Sequence, residues 1–165
     1  YLTKNVRLSL NKWKKIRIFL GDKKPSKEQL RKYAKKVEEK AKPFIKKMSR
    51  NYKLAIVTGS RWIFIDSVFD AGTKNKLSAI ITSDDVKHKK PDIEPLEKAL
   101  GKVRAKKDEV IFIGDSTQDA LMCQRFGIRF IGKPTGISTK FQLKKFNPFL
   151  IANNFDEIEK FILNL

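Results

Sequence analysis

The chain has 165 residues, 41% of them hydrophobic, and a formal net charge of +19 from 37 Lys+Arg against 18 Asp+Glu. That length and apolar content suit one packed domain, while a single cysteine and a single histidine exclude a disulfide scaffold and a zinc-finger set. No apolar run reaches the roughly 20 residues of a membrane span, and no apolar leader precedes a small-residue cleavage site, so a reduced cytoplasmic compartment or an organelle matrix is expected.

The first third reads as helical. Ser9 caps a helix with Leu10, Trp13, Ile16 and Phe19 or Leu20 as its apolar positions, and Gly21 stops it. Lys15-Ile-Arg-Ile-Phe-Leu20 also alternates with the period of a strand; the helix is the preferred reading. Pro25-Ser26 opens a second helix carrying Leu30, Tyr33 and Val37 on one face. A third, over Lys42–Asn51, is led by Pro43 and carries Phe44, Ile45 and Met48.

After Tyr52 the texture changes. Leu54–Val57 is a short apolar run ending in Thr58-Gly-Ser60, and it leads into a helix of Trp62, Ile65, Val68 and Phe69. Ala79–Ile81 is a second run, ending in Thr82-Ser-Asp-Asp85, followed by a helix from Ile93 to Leu100 that Gly101 closes. Val110–Ile113 is the third, ending in Gly114-Asp-Ser116, with a helix to Phe126 closed by Gly127. Arg129–Ile131 and Phe149–Ile151 are a fourth and a fifth run, and Phe155–Leu165 is a final amphipathic helix. Apolar strands alternating with helices predict an α/β fold, a doubly wound, Rossmann-like parallel sheet.

The charge is uneven. Residues 1–53 hold 19 basic and 4 acidic side chains. Such a segment attracts phosphate-bearing partners, from small phosphoesters to RNA. Lysine outnumbers arginine there and regular basic–aromatic interleaving is absent, so a solvated lysine-rich helical surface is the preferred account.

The chemistry of a doubly wound sheet collects at the carboxyl ends of its strands, and three of these ends are polar. Asp115 at a strand tip, with Asp119 one turn into the next helix, suits a hard cation such as Mg²⁺. Thr58 offers a hydroxyl beside the backbone N–H groups of Gly59 and Ser60, as a phosphate oxygen requires. Lys90, fixed by Pro91, is placed to neutralise a phosphoryl charge. Each feature alone has an ordinary structural reading: helix caps for Asp115 and Asp119, a strand-to-helix turn for Thr58-Gly59, a surface lysine for Lys90. Their order and spacing together argue for one site. Ser116 is a further phosphate contact, Asp84 and Asp85 are supports or caps, Cys123 beside Met122 reads as core, and His88 among lysines reads as exposed.

Leu54-Ala-Ile-Val-Thr-Gly-Ser60, Lys90-Pro91 and Val110-Ile-Phe-Ile-Gly-Asp-Ser-Thr-Gln-Asp119 resemble motifs II, III and IV of the haloacid dehalogenase superfamily of phosphatases. The layout is similar to that of phosphoserine and phosphoglycolate phosphatases with a helical C1-type cap. The resemblance implies that Thr58, Gly59 and Ser60 bind the transferring phosphoryl group and that Lys90 holds it together with the nucleophile. It also implies that Asp115 ligates Mg²⁺ and that Asp119 supports that site. It assigns residues 1–41 to a basic helical cap segment and 42–165 to an α/β core lacking its first strand. Motif I, an Asp-x-Asp that supplies the nucleophile and the acid/base, has no match in these residues. If Lys15–Leu20 were its strand, the nucleophile position would be Leu20 and only Asp22 would remain; if not, motif I lies upstream of Tyr1.

The expected function is a Mg²⁺-dependent phosphomonoester hydrolase acting through an aspartyl-phosphate on a small phosphorylated metabolite, its nucleophile upstream of Tyr1. The alternative is a catalytically inactive relative held in a larger assembly, which completes its sheet and binds RNA or another polyanion through residues 1–53. As it stands, the chain lacks the Asp nucleophile.

Overall fold

The structure, a computed structural model, describes residues 15–18, 35, 37–135 and 137–165. Six strands form one parallel sheet in the order β3-β2-β1-β4-β5-β6: β1 Lys15–Ile18, β2 Lys53–Val57, β3 Leu77–Ile81, β4 Val110–Gly114, β5 Arg129–Gly132 and β6 Leu150–Ile151. The helices are α1 Lys42–Met48, preceded by a π-helical turn Val37–Ala41, then α2 Trp62–Val68, α3 Ala71–Lys74, α4 Glu94–Val103, α5 Thr117–Phe126, α6 Lys140–Lys144 and α7 Phe155–Leu163. The chain winds outward from β1 through β2 to β3, then resumes on the other side at β4. The strand order therefore switches between β1 and β4, and a crevice at that point is where such sheets bind ligands.

Two expectations about the first third are corrected here. Lys15–Ile18 is a strand and not part of a helix, and the core does not lack a central strand. Lys15 pairs with Lys53 of β2 on one side and Val110 of β4 on the other. The cause is the slot itself. Two inner parallel strands leave a row of N–H and C=O groups facing each other across it, and each unpaired buried group costs about 1–3 kcal/mol. A short Lys-Ile-Arg-Ile segment, with a β-branched residue at every second position, suits the vacancy. The remainder of the helix expected from Ser9, and Leu30 and Tyr33 of the helix expected from Pro25-Ser26, lie outside the described residues; Val37, the third apolar position of that helix, opens the π-helical turn Val37–Ala41.

Alternation along the strands fills both faces of the sheet. Ile111 and Ile113 of β4 join Leu54, Ile56, Phe44, Ile45, Ile65, Phe69, Ile158 and Ile162 on the face covered by α1 and α7. Val110 and Phe112 join Ile81, Leu96, Met122, Cys123, Phe126 and Leu143 on the face covered by α4 and α5. Both faces of a parallel sheet are thus dry, and Cys123 lies in the core as expected.

Two glycines behave differently from each other. Gly127 closes α5 with φ 75°, as the sequence predicts. Gly101, expected to close the preceding helix, lies inside α4; the helix runs on to Val103 and ends at Arg104, whose φ is 51°. No helix among the described residues is long and apolar enough to cross a membrane.

Candidate phosphate and metal site

The site is built from strand ends. β2 delivers Thr58, whose backbone N–H donates to Ile81 O at 2.8 Å, so the loop leaves the sheet still tied to β3. Thr58 is buried, and its Oγ1 accepts from Ser60 N–H at 3.0 Å, which fixes the hydroxyl's direction. Thr58-Gly59-Ser60 is therefore a tight turn with the Ser60 amide engaged inside it. Asp84, beyond β3, accepts from Arg61 Nε at 2.9 Å and from the Trp62 N–H at 3.0 Å. Ser83 N–H donates to Ser60 O at 3.0 Å. Asp84 thus braces the turn and the start of α2. Asp85 turns the other way, accepting from the Thr82 N–H and hydroxyl, and ends the β3 loop.

β4 delivers Asp115 and Ser116. Ser116 caps α5: its Oγ accepts from Asp119 N–H at 3.2 Å, while Asp119 Oδ2 accepts from Ser116 N–H at 3.1 Å and from Ser116 Oγ at 2.6 Å. The turn is so close that a Cβ on Gly114 would come within 2.7 Å of Asp119 Cβ. The other oxygen of Asp119, Oδ1, accepts from Lys90 Nζ at 3.2 Å, and both side chains are almost completely buried. The peptide between Lys90 and Pro91 is cis. Buried against Asp119, Lys90 is no surface lysine; a loop between β3 and α4 delivers it to the carboxyl end of β4.

Asp115 differs from Asp119 in one respect. Both are buried, and burial pushes both carboxyls up, Asp115 to about 6. In Asp119 the Lys90 ammonium and the Ser116 hydrogen bonds oppose that rise. In Asp115 one oxygen, Oδ2, accepts from the Thr135 hydroxyl, and Oδ1 has no hydrogen-bond partner among the described residues. An orphaned buried carboxylate oxygen is costly on its own and is what a hard cation would satisfy, so the residues fit Mg²⁺.

Thr58, Asp115, Lys90 and Asp119, expected from the sequence, thus fall at the carboxyl ends of β2 and β4 on either side of β1, with Lys90 bonded directly to Asp119. Two contacts were not foreseen, Thr135 on Asp115 and Ser138, whose Oγ accepts from Thr117 N–H at 3.1 Å. Both lie in the loop after β5, and their one sequence signal is that this loop, too, leaves the carboxyl end of a strand. His88 is exposed as expected. His88, Asp92 and Glu94 bring ligand atoms within 4.8 Å of one another. Glu94 is already engaged, accepting from the Lys87 and His88 N–H groups and pairing with Lys98, which holds its carboxyl down at about 2. That cluster braces the loop ahead of Lys90.

The family model for haloacid dehalogenase-like hydrolases matches residues 4–133. This chain belongs to that family. Among curated relatives, pyrophosphatase PpaX of Halalkalibacterium halodurans is 30% identical over 118 residues, covering 66% of this chain and 51% of that protein. Phosphoglycolate phosphatase of Photorhabdus laumondii is 29% identical over 109 residues, covering 66% and 47%. The chain spans about half the length of these curated relatives. A solved hydrolase from Pseudomonas syringae superposes with a TM-score of 0.66 at 22% identity, covering 86% of this chain and 71% of its own. A haloacid dehalogenase-like hydrolase from Bacteroides fragilis gives 0.65 at 25% identity, covering 70% and 56%. The sheet described above is the fold of this family.

Proposed function

We propose that this chain carries the phosphoryl-binding and Mg²⁺-binding half of a phosphomonoester hydrolase site, and that hydrolysis runs through an aspartyl-phosphate whose nucleophile lies upstream of Tyr1. The observation that carries the reading is the buried, unpartnered Asp115 Oδ1 beside the buried Lys90–Asp119 pair at the switch point of the sheet. A helix cap needs no such set, because Ser116 and Asp119 already cap α5 without Asp115 or Lys90.

In this reading Thr58 donates its hydroxyl proton to a phosphoryl oxygen, held in direction by the Ser60 amide. Lys90 supplies positive charge in a dry site, where it acts more strongly than in water. Asp119 and Ser116 keep that lysine and the start of α5 in place. Asp115 would hold Mg²⁺, which when bound supplies charge neutralisation at the phosphoryl group. The names of the relatives, a pyrophosphatase and a phosphoglycolate phosphatase, support a small phosphorylated substrate.

The nucleophile is the part that this chain's motifs do not supply. Ile18 pairs with Ile56, two residues ahead of Thr58. Two residues beyond Ile18 the sequence has Leu20, which carries no carboxylate. A strand ending in Asp-x-Asp upstream of Tyr1 would have to take the slot that Lys15–Ile18 holds. The position of β1 itself favours a second reading, in which the chain binds a phosphorylated ligand without hydrolysing it. RNA binding by residues 1–53 is the lesser proposal, resting on charge alone, and a steep fall of affinity with salt would be its signature.

The test is N-terminal sequencing of the native polypeptide, followed by Mg²⁺-dependent phosphate release from p-nitrophenyl phosphate and a panel of small phosphomonoesters. The hydrolase reading predicts an upstream Asp-x-Asp and turnover that the 165-residue chain alone does not give. A native polypeptide without that motif and without turnover decides for the non-hydrolysing reading. An upstream Asp-x-Asp with no phosphate release on any ester overturns the hydrolase.

A further inference from the structure

We propose that Thr135, in the loop after β5, is a positioning residue for the metal site, holding Asp115 so that Oδ1 and not Oδ2 faces the cation; the proposal rests on the Mg²⁺-binding reading above. Asp115 has two oxygens in unlike states. Oδ2 accepts from the Thr135 hydroxyl, and Oδ1 has no partner among the described residues. A carboxylate at a strand tip can rotate about its last torsion and exchange the two. A hydroxyl fixed on one oxygen removes that freedom and orients the other.

The loop is built to deliver this hydroxyl. At its start the Lys133 N–H donates to Gly114 O at 2.8 Å, continuing the β4–β5 ladder one residue past the strand. Further on, Ser138 is buried and its Oγ accepts from Thr117 N–H, in the first turn of α5. Thr135 therefore stands between two ties, one to the residue before Asp115 and one to the second residue after it. Thr139 then caps α6, accepting from Gln142 N–H at 3.2 Å. Nothing in the packing of Thr135 explains the contact, because the residue is exposed apart from it. Among the described residues the hydroxyl's one polar contact is the carboxylate.

Groups that orient a metal ligand typically change metal affinity by about 10–100-fold when removed. The experiment is calorimetric titration of the 165-residue chain with Mg²⁺ alone, for the wild type, Thr135→Val and Thr135→Ser, with thermal melts of each without metal. Val keeps the side-chain volume and removes the donor; Ser keeps the donor. The expected result is about tenfold weaker Mg²⁺ binding in Thr135→Val and near-wild-type binding in Thr135→Ser, with the metal-free Thr135→Val melt lowered by the second orphaned carboxylate oxygen and the Thr135→Ser melt near wild type, all three being single cooperative transitions. Equal Mg²⁺ affinity in wild type and Thr135→Val overturns the positioning role while leaving the Mg²⁺ site standing. Equal weakening in Val and Ser variants also overturns it, since a loop disturbed by any substitution would give that. A wild type that binds no Mg²⁺ overturns the positioning role and the metal site together.

Discussion

Lys90 Nζ lies 3.2 Å from Asp119 Oδ1, with the two side chains 2% and 0% exposed. A buried pair of this kind is weak evidence for stability but makes each partner dependent on the other. Lys90→Met should leave Asp119 as an uncompensated buried charge and cost about 3–5 kcal/mol. Lys90→Met combined with Asp119→Asn should be less destabilised than Lys90→Met alone, because the charge is gone while an Asn oxygen still accepts from Ser116. Urea unfolding of the three proteins measures this, and additive losses in the double variant would refute the coupling.

Glycine substitutions separate a required close approach from a tolerated one. A Cβ at Gly114 meets Asp119 Cβ at 2.7 Å, whereas a Cβ at Gly101 meets nothing within 4 Å. Gly114→Ala should destabilise by about 1–3 kcal/mol through overpacking, and it should displace Asp119 from Lys90. Gly101→Ala, inside α4, should stabilise by about 0.5–1 kcal/mol. Thermal melts of both variants give the comparison, and the two changes must have opposite signs.

The carboxyl of Asp115, pushed up to about 6 by burial, ties stability and metal binding to pH. Between the ordinary carboxylate range and about pH 6 the folded chain keeps a proton that the unfolded chain has released. This contribution therefore favours the folded state at low pH and is lost as pH rises through about 6. A metal ligand must be deprotonated, so Mg²⁺ should bind more weakly as pH falls through the same window. Melting temperatures with and without Mg²⁺ should separate above about pH 6 and converge below about pH 5. A Mg²⁺ effect of constant size across that range would count against Asp115 as the ligand.

Asp84 joins Arg61 and the Trp62 amide to the far side of the Thr58-Gly59-Ser60 turn. Asp84→Ala should cost about 1 kcal/mol, the usual loss at a helix start, and should weaken phosphate binding because the Thr58 turn loses a brace. Asp84→Asn retains an acceptor and should lose less of both. Equilibrium unfolding and phosphate titration of the two variants check the order.

Strand ends and helix starts from Tyr52 onward were legible because apolar runs there are short, β-branched and punctuated by Thr-Gly-Ser or Gly-Asp-Ser. The short helices α3 and α6 were not, since four or five residues set no period. Gly101 misled for a definite reason. A glycine ends a helix only when the backbone turns left-handed there, and in this chain that turn is taken by Arg104. Lys15–Ile18 fitted both periods, and tertiary context chose the strand because a central slot in the sheet was open. At the site, Lys90 and Asp119 could be named from spacing, yet their mutual contact depends on a loop path that no local pattern encodes. Thr135 carried no motif, and only the strand order brings it to Asp115.

Phosphate binding to the 165-residue chain, with and without Mg²⁺, in wild type and Asp115→Asn, reads the proposed site itself. A chain with net charge +19 attracts phosphate at many surface lysines, so the signal sought is the part that requires Mg²⁺. A Mg²⁺ site at Asp115 predicts one saturable phosphate site that appears only with Mg²⁺ and is absent in Asp115→Asn. Phosphate binding of the same strength in both proteins, unaffected by Mg²⁺, would contradict it.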